Sequence, residues 1–346
     1  MDTVGIVGLG VMGSNCAKKL MESGVPVAGY DPYPPAVKRA SEAGVAVCGS
    51  PAELAGKARV ILMFVPGPAD TEKVVLGEGG IASGAPEGTV VVNMSTVDPG
   101  VNIRMGEALA PKGIGFVDAP VMGSPSGVGS WAFALGGSDE ALAKIKDVLL
   151  VLSGSEEKLF HIGPLGHGNK LKLLNNRMLG AIDACAAETM ALAEHMGLSQ
   201  KTLIDVAVAA NARVLSSAYK EIGTRIAEGR YDEPTFTVDM LIKDNRLCLD
   251  MAREYGAPVI LGGGGLCAPD GFGAGLRREG PRRVMEGRGE KLEGVEPAGG
   301  FAGWVRRETG FIRVFRVNGA FQEAVPGRIG SSGFRMALPK KHMSFA

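Results

Sequence analysis

The chain of 346 residues balances 37 Lys+Arg against 37 Asp+Glu and is 45% hydrophobic with 5% aromatics. That length suits two domains with cores of their own, and a net charge of zero gives no drive towards nucleic acid or an anionic membrane. Five cysteines without a CxxC pair and four scattered histidines argue against a disulfide scaffold and a Cys/His zinc site, so no metal is expected.

No apolar run approaches the roughly 18 residues of a membrane span. The N-terminus enters an apolar strand by Val4 with no basic region before it, so no leader peptide is expected and the reading is a cytoplasmic protein.

Short apolar runs bounded by Gly, Pro or Ser predict strands over Val4–Val7, Val25–Tyr30, Val45–Val47, Val60–Val65, Thr89–Asn93 and Gly115–Asp118. Helical spacing lies between them, for example over Val11–Ser23, Pro35–Ala43 and Pro99–Ala110. Strand–helix alternation predicts an α/β fold, a doubly wound parallel sheet with helices on both faces. A final unit runs through Trp131–Leu135, a helix over Asp139–Leu152 and Lys158–Ile162.

The first turn carries Gly8-Leu9-Gly10-Val11-Met12-Gly13, directly after a strand and opening a helix. Gly8 permits the tight turn, Gly10 lets backbone approach a pyrophosphate, and Gly13 allows close helix–strand packing. The helix N-terminus offers free amides to the phosphates. Asp31 closes the second strand, where a carboxylate accepts hydrogen bonds from the adenosine ribose and repels a 2′-phosphate. NAD is therefore expected over NADP. Two later loops at the carboxyl edge, Val65-Pro66-Gly67-Pro68 and Ser95-Thr96, are placed to line the same crevice; each is equally readable as a plain turn. The cluster Asp118–Gly127, with Met122, Gly123 and Ser124 at its centre, offers donors suited to a carboxylate.

The pattern changes after Gly163, Pro164 and Gly166. One helix reads from about Asn169 to Met196, stopped by Gly197. Others start at a Ser199 cap and cover about Leu215–Glu228 and Val238–Tyr255. This predicts an α/β domain over 1–164 and an all-helical one over 165–261. Within the long helix, Lys172 and Asn176 are four apart and share a face, whereas Lys170 points away. A lysine and an amide on a cofactor crevice can protonate and orient a carbonyl oxygen; a solvated helix surface is the alternative.

Residues 262–346 hold 14 basic and 8 acidic side chains, so they are net +6 while residues 1–261 are net −6. Clean periodicity stops there. Gly- and Arg-rich text is what a shifted reading frame in a GC-rich gene yields, and a lineage-specific tail is the alternative. The expectation is a poorly packed segment.

Together these elements resemble the β-hydroxyacid dehydrogenase family, which includes 3-hydroxyisobutyrate dehydrogenases and tartronate semialdehyde reductases. The resemblance covers residues 1 to about 262 in order and spacing. The family signature Asp-Ala-Pro-Val-Ser-Gly-Gly resembles Asp118–Ser124, with Met122 in place of Ser and Ser124 in place of the last Gly. Gly-x-Gly-x-x-x-Lys-x-x-Asn-Asn falls on Gly166, Gly168, Lys172, Asn175 and Asn176, and a late Lys-Asp pair resembles Lys243-Asp244.

The resemblance implies a Rossmann domain and a helical domain that forms dimers or tetramers. It implies Lys172 as general acid and base, Asn176 orienting the substrate hydroxyl, Met122–Ser124 holding a small hydroxy acid's carboxylate, and Lys243 contacting cofactor and substrate. A surface pair of Lys243 with Asp239 is the plain alternative. Two other functions compete: an NADPH-using semialdehyde reductase and a non-catalytic dinucleotide-binding module.

Overall fold

The computed structural model describes residues 2–231 and 236–257, and the backbone of 305–308 and 311–314. In chain order the elements are β1 (Val4–Val7), α1 (Val11–Glu22), β2 (Val27–Tyr30), α2 (Pro34–Glu42), β3 (Ala46–Val47), α3 (Pro51–Lys57), β4 (Val60–Met63), α4 (Pro68–Leu76) and α5 (Ile81–Gly84). There follow β5 (Val90–Asn93), α6 (Pro99–Leu109), β6 (Gly115–Asp118), β7 (Val121–Met122), β8 (Ala132–Gly136), α7 (Asp139–Ser153) and β9 (Leu159–Gly163). Then come α8 (His167–His195), α9 (Gln200–Ala209), α10 (Ser217–Ala227), α11 (Val238–Glu254), β10 (Val305–Glu308) and β11 (Phe311–Val314).

The sheet runs β3-β2-β1-β4-β5-β6-β8-β7, with β9 beside β8. From β3 to β6 every pairing is parallel. Because β1 lies between β2 and β4, strand order reverses there, which opens a crevice at the carboxyl ends of β1 and β4. The expected doubly wound sheet is realised with one correction: β8 runs antiparallel to β6 and β7. No local pattern marks that reversal, since β8 is as apolar as its parallel neighbours.

The strands at the centre are buried on both faces, which is why they read as unbroken apolar runs. Alternate residues feed two cores. Ile6, Val92 and Val90 pack with Leu20, Trp131 and Ile145 on one side. Val7, Val91 and Met63 pack with Leu54, Val101 and Met105 on the other.

Expected caps are in place: Ser199 Oγ accepts from the Thr202 amide at 3.2 Å, and Gly197 closes α8 at φ +74°. The strand expected over Val60–Val65 ends at Met63, because the Val65 amide is drawn to Ser95 Oγ at 2.8 Å. Helices α3 and α4 lie between expected strands, where helical segments are expected. Each begins with a proline at its first turn, where the missing amide costs nothing.

Helix α8 spans 29 residues. Along it, Leu173 packs with Cys248 and Met251 of α11, while Met190 packs with Ile204 of α9 and Ile226 of α10. In a separate unit, Gly289–Ala346, β10 pairs antiparallel with β11. The expectation of a poorly packed segment over 262–346 otherwise lies outside the described residues. Among the described residues no helix is long and apolar enough to cross a membrane.

Candidate functional site

The turn after β1 has the stereochemistry a dinucleotide needs. Gly8 sits at φ +88°, and a Cβ there would lie 2.0 Å from the Phe64 carbonyl oxygen. A Cβ on Gly13 would lie 1.8 Å from the Gly8 carbonyl oxygen, so α1 is seated directly on the turn. Around Gly10 nothing comes within 4 Å of such an atom; that side is open to the crevice. Helix α1 has neither a side-chain cap nor an acid in its first turn, so its leading amides are left for an anion. Leu9 is buried, Met12 is half-buried against the core, and Val11 is exposed.

Asp31 braces that turn. Its Oδ2 accepts from the Leu9 amide at 2.7 Å and its Oδ1 from the Tyr33 amide at 2.8 Å. It therefore stands at the crevice, and part of its hydrogen-bonding capacity goes to holding the loop.

The loops after β4 and β5 are tied together from a distance. Lys243 of α11 donates from Nζ to the Thr96 carbonyl at 2.7 Å and to the Pro66 carbonyl at 3.2 Å. It also lies 3.0 Å from Asp244 Oδ1. Val65, Pro66, Thr96 and Lys243 are thus brought together, whereas no local pattern in the sequence joins them. Beneath them, Ser95 is fixed by Asn93, whose Oδ1 accepts from the Ser95 amide at 3.1 Å.

Lys172 and Asn176 share one face of α8, as the spacing predicts. Lys172 donates from Nζ to the Val121 carbonyl at 2.8 Å. Asn176 donates from Nδ2 to Asp244 Oδ2 at 2.6 Å and accepts on Oδ1 from Asn175 Nδ2 at 3.1 Å. Burial lowers the Lys172 ammonium from the ordinary lysine range, Asp244 opposes this, and Lys243 adds to it. Lys170 is turned elsewhere, its Nζ 5.2 Å from the centre of the Tyr255 ring.

The expected substrate loop meets Lys172 through the Val121 carbonyl rather than through the side chains of Met122 or Ser124. Met122 lies in β7, half-buried and paired with Ala132. Ser124 is exposed, its hydroxyl 3.3 Å from that of Ser126. Trp131 braces the loop: its Nε1 donates to the Ser124 carbonyl at 2.7 Å, and a Cβ on Gly123 would lie 2.5 Å from its ring.

Sequence reasoning missed the supporting roles of Trp131, Asn169 and Asp118. Asn169 accepts on Oδ1 from the Val97 amide at 2.9 Å. Asp118 accepts from the Gly166 and Asn169 amides. Only the isolated carboxylate at the end of an apolar strand could have marked the last of these. Among the described residues no cluster of His, Cys, Asp and Glu could hold a metal.

Comparison with known proteins agrees with this geometry. Residues 3–163 match the family described as the NAD binding domain of 6-phosphogluconate dehydrogenase. Residues 166–265 match that described as NAD-binding of NADP-dependent 3-hydroxyisobutyrate dehydrogenase. The chain is 33% identical to an L-threonate dehydrogenase of Cupriavidus necator over 75% of this chain and 86% of that protein. It is 31% identical to a 2-(hydroxymethyl)glutarate dehydrogenase of Eubacterium barkeri over 86% of this chain and 98% of that one. A crystal structure of a 3-hydroxyisobutyrate dehydrogenase from Salmonella typhimurium superposes with a TM-score of 0.69, at 28% identity, covering 75% of this chain and 90% of the other. With an open glycine turn at the sheet's switch point, a half-buried lysine and a buried amide on the helix beside it, and relatives that match over both parts, the chain belongs to the β-hydroxyacid dehydrogenase family of dinucleotide-dependent oxidoreductases.

Proposed function

We propose that the protein is an NAD-dependent dehydrogenase of a small 3-hydroxy acid resembling 3-hydroxyisobutyrate, with Lys172 as its general acid and base. The observation that carries this reading is the half-buried Lys172 ammonium, held on the Val121 carbonyl one helical turn from Asn176. The bound nicotinamide supplies the hydride acceptor. Lys172 Nζ takes the hydroxyl proton during oxidation and returns it to the aldehyde oxygen during reduction. Asn176 orients that oxygen with the Nδ2 proton not engaged by Asp244. Donors around Met122, Gly123 and Ser124 receive the carboxylate. Lys243 holds the two loops that flank the cofactor. Screening small 3-hydroxy acids with NAD while following NADH absorbance tests the whole reading; no turnover with any of them would refute it.

NAD is favoured over NADP by the loop after β2. Asp31 is followed by Pro32-Tyr33-Pro34-Pro35, and the prolines supply no amide. The Tyr33 amide is already engaged by Asp31. A 2′-phosphate there meets a carboxylate and few free donors. The expected preference in kcat/KM is about 10²-fold for NAD, from the cost of placing like charges together. Equal use of NADP would end the assignment.

Met122 supports an alkyl-bearing or unsubstituted substrate over a polyhydroxylated one, because it stands where a hydroxyl donor is usual among relatives. The expected discrimination is about 1–3 kcal/mol. Met122→Ser is expected to narrow or reverse it with NAD affinity unchanged. An untouched ranking would remove Met122 from the substrate's surroundings.

We divide the chain into a cofactor domain over 1–164, a helical domain over 165–261 and a distinct tail from 262. A homodimer or homotetramer is supported by the apolar side chains exposed along α8 and at its C-cap, Leu174, Met178, Leu192 and Met196. We also propose a cytoplasmic location.

A further inference from the structure

Helix α8 carries Lys172 and Asn176, yet its own start lacks a cap: Gly166 has no side chain to offer the first amides. The partner comes from the sheet. Asp118, the last residue of β6 and fully buried, accepts from the Gly166 amide at 2.7 Å on Oδ1 and from the Asn169 amide at 2.6 Å on Oδ2. The approach is close; a Cβ on Gly168 would lie 2.4 Å from the Ala134 carbonyl oxygen and 2.8 Å from Asp118 Oδ2. Three residues after Asp118, the Val121 carbonyl accepts from Lys172 Nζ at 2.8 Å. Sheet, helix start, lysine and loop thereby close a ring.

We propose that the Asp118 carboxylate is the positioning residue that sets the start of α8, and with it Lys172, against the loop that begins at Val121. This rests on Lys172 as the proton carrier. Both oxygens face amide donors, so the arrangement requires the ionised acid; a protonated oxygen would turn a donor towards a donor. Among the described residues no charged side chain compensates it. β5 sets Asn93 opposite it, β8 sets Gly136, and α8 brings backbone amides and the neutral Asn169 side chain. On the first turn of α8, His167 lies against Gly163 and Lys170 over the Tyr255 ring. Burial accordingly pushes Asp118 up to about 6, against the pull of the amides.

The consequence separates positioning from plain support. A carboxylate raised on folding contributes stability that is present in full below the usual carboxylate range and lost as pH rises through about 6. On acidification through that value this residue therefore makes the fold more stable while it loosens its hold on α8. The reaction is followed as aldehyde reduction, which uses the Lys172 ammonium, the form that acidification favours. Asp183, also raised to about 6 by burial and Glu221, is removed as a confounder by Asp183→Asn.

In that background kcat is expected to fall as pH drops through about 6, while KM for NADH moves less than twofold and Tm rises relative to Asp118→Asn. Asp118→Asn is expected to lose about tenfold in kcat at pH 8, the lower part of the range for mispositioned catalytic groups, and to lose the acid limb. Should Asp118→Asn fail to fold, the Asp183→Asn enzyme carries the test alone, by kcat falling while Tm does not. A kcat that is flat through pH 6, or that persists in its acid limb in Asp118→Asn, or that falls together with Tm, would overturn the proposal. Loss of activity in Lys172→Met together with a flat acid limb in the Asp183→Asn enzyme would remove this role of Asp118 and leave the proton carrier in place.

Discussion

Lys172→Met is expected to lower kcat by about 10²-fold or more, the usual scale of general acid–base catalysis, with NAD affinity little changed. The side chain is half-buried and its ammonium is lowered from the ordinary lysine range, chiefly by desolvation. Oxidation of the alcohol needs the neutral amine, so the rate should rise with pH and level off below the pH at which an ordinary lysine titrates. Reduction needs the ammonium and should decline over the same interval. Lys243 contributes to the lowering, and Lys243→Met should therefore move the midpoint of the kcat profile upwards. Lys170→Met should be mild, because Lys170 is spent on the Tyr255 ring. Equal losses at positions 170 and 172 would show that the wrong face of α8 has been assigned to the cofactor.

Gly13→Ala and Gly10→Ala are expected to fail in different ways, which makes the pair a strong test of the turn after β1. At Gly13 the added methyl would meet a backbone carbonyl oxygen at 1.8 Å, and backbone cannot yield as a flexible side chain can. A loss of at least about 2 kcal/mol in unfolding free energy is expected, together with loss of NAD binding. At Gly10 the methyl meets nothing within 4 Å, and the residue has an ordinary φ of −69°. Stability should change by less than about 1 kcal/mol. NAD affinity should nevertheless fall about tenfold or more, since the methyl occupies the side on which the pyrophosphate approaches. Denaturant unfolding and NAD titration on both variants separate the effects. Unchanged NAD affinity in Gly10→Ala would place the phosphates elsewhere.

Much of the framework was legible before any coordinates. Strand–helix alternation, the glycine spacing after β1, the acid after β2 and the four-residue step from Lys172 to Asn176 are all short-range features. Each obeys a period or a local steric rule, so the linear order carries it. The cap at Ser199 and the αL stop at Gly197 belong to the same class.

What sequence alone determined was therefore the fold class, the dinucleotide turn and the identity of the lysine and amide on one helix face. Tertiary structure decided how those groups are held. Lys172 reaches a carbonyl 51 positions away, Asn176 a carboxylate 68 away, and Lys243 joins two loops 147 and 177 positions distant. The direction of β8 and the closure of α8 by Asp118 were settled in the same way. Such partners have no period along the chain. They exist because buried polar groups must be satisfied once the apolar elements have packed, and only the packed chain says which groups those are.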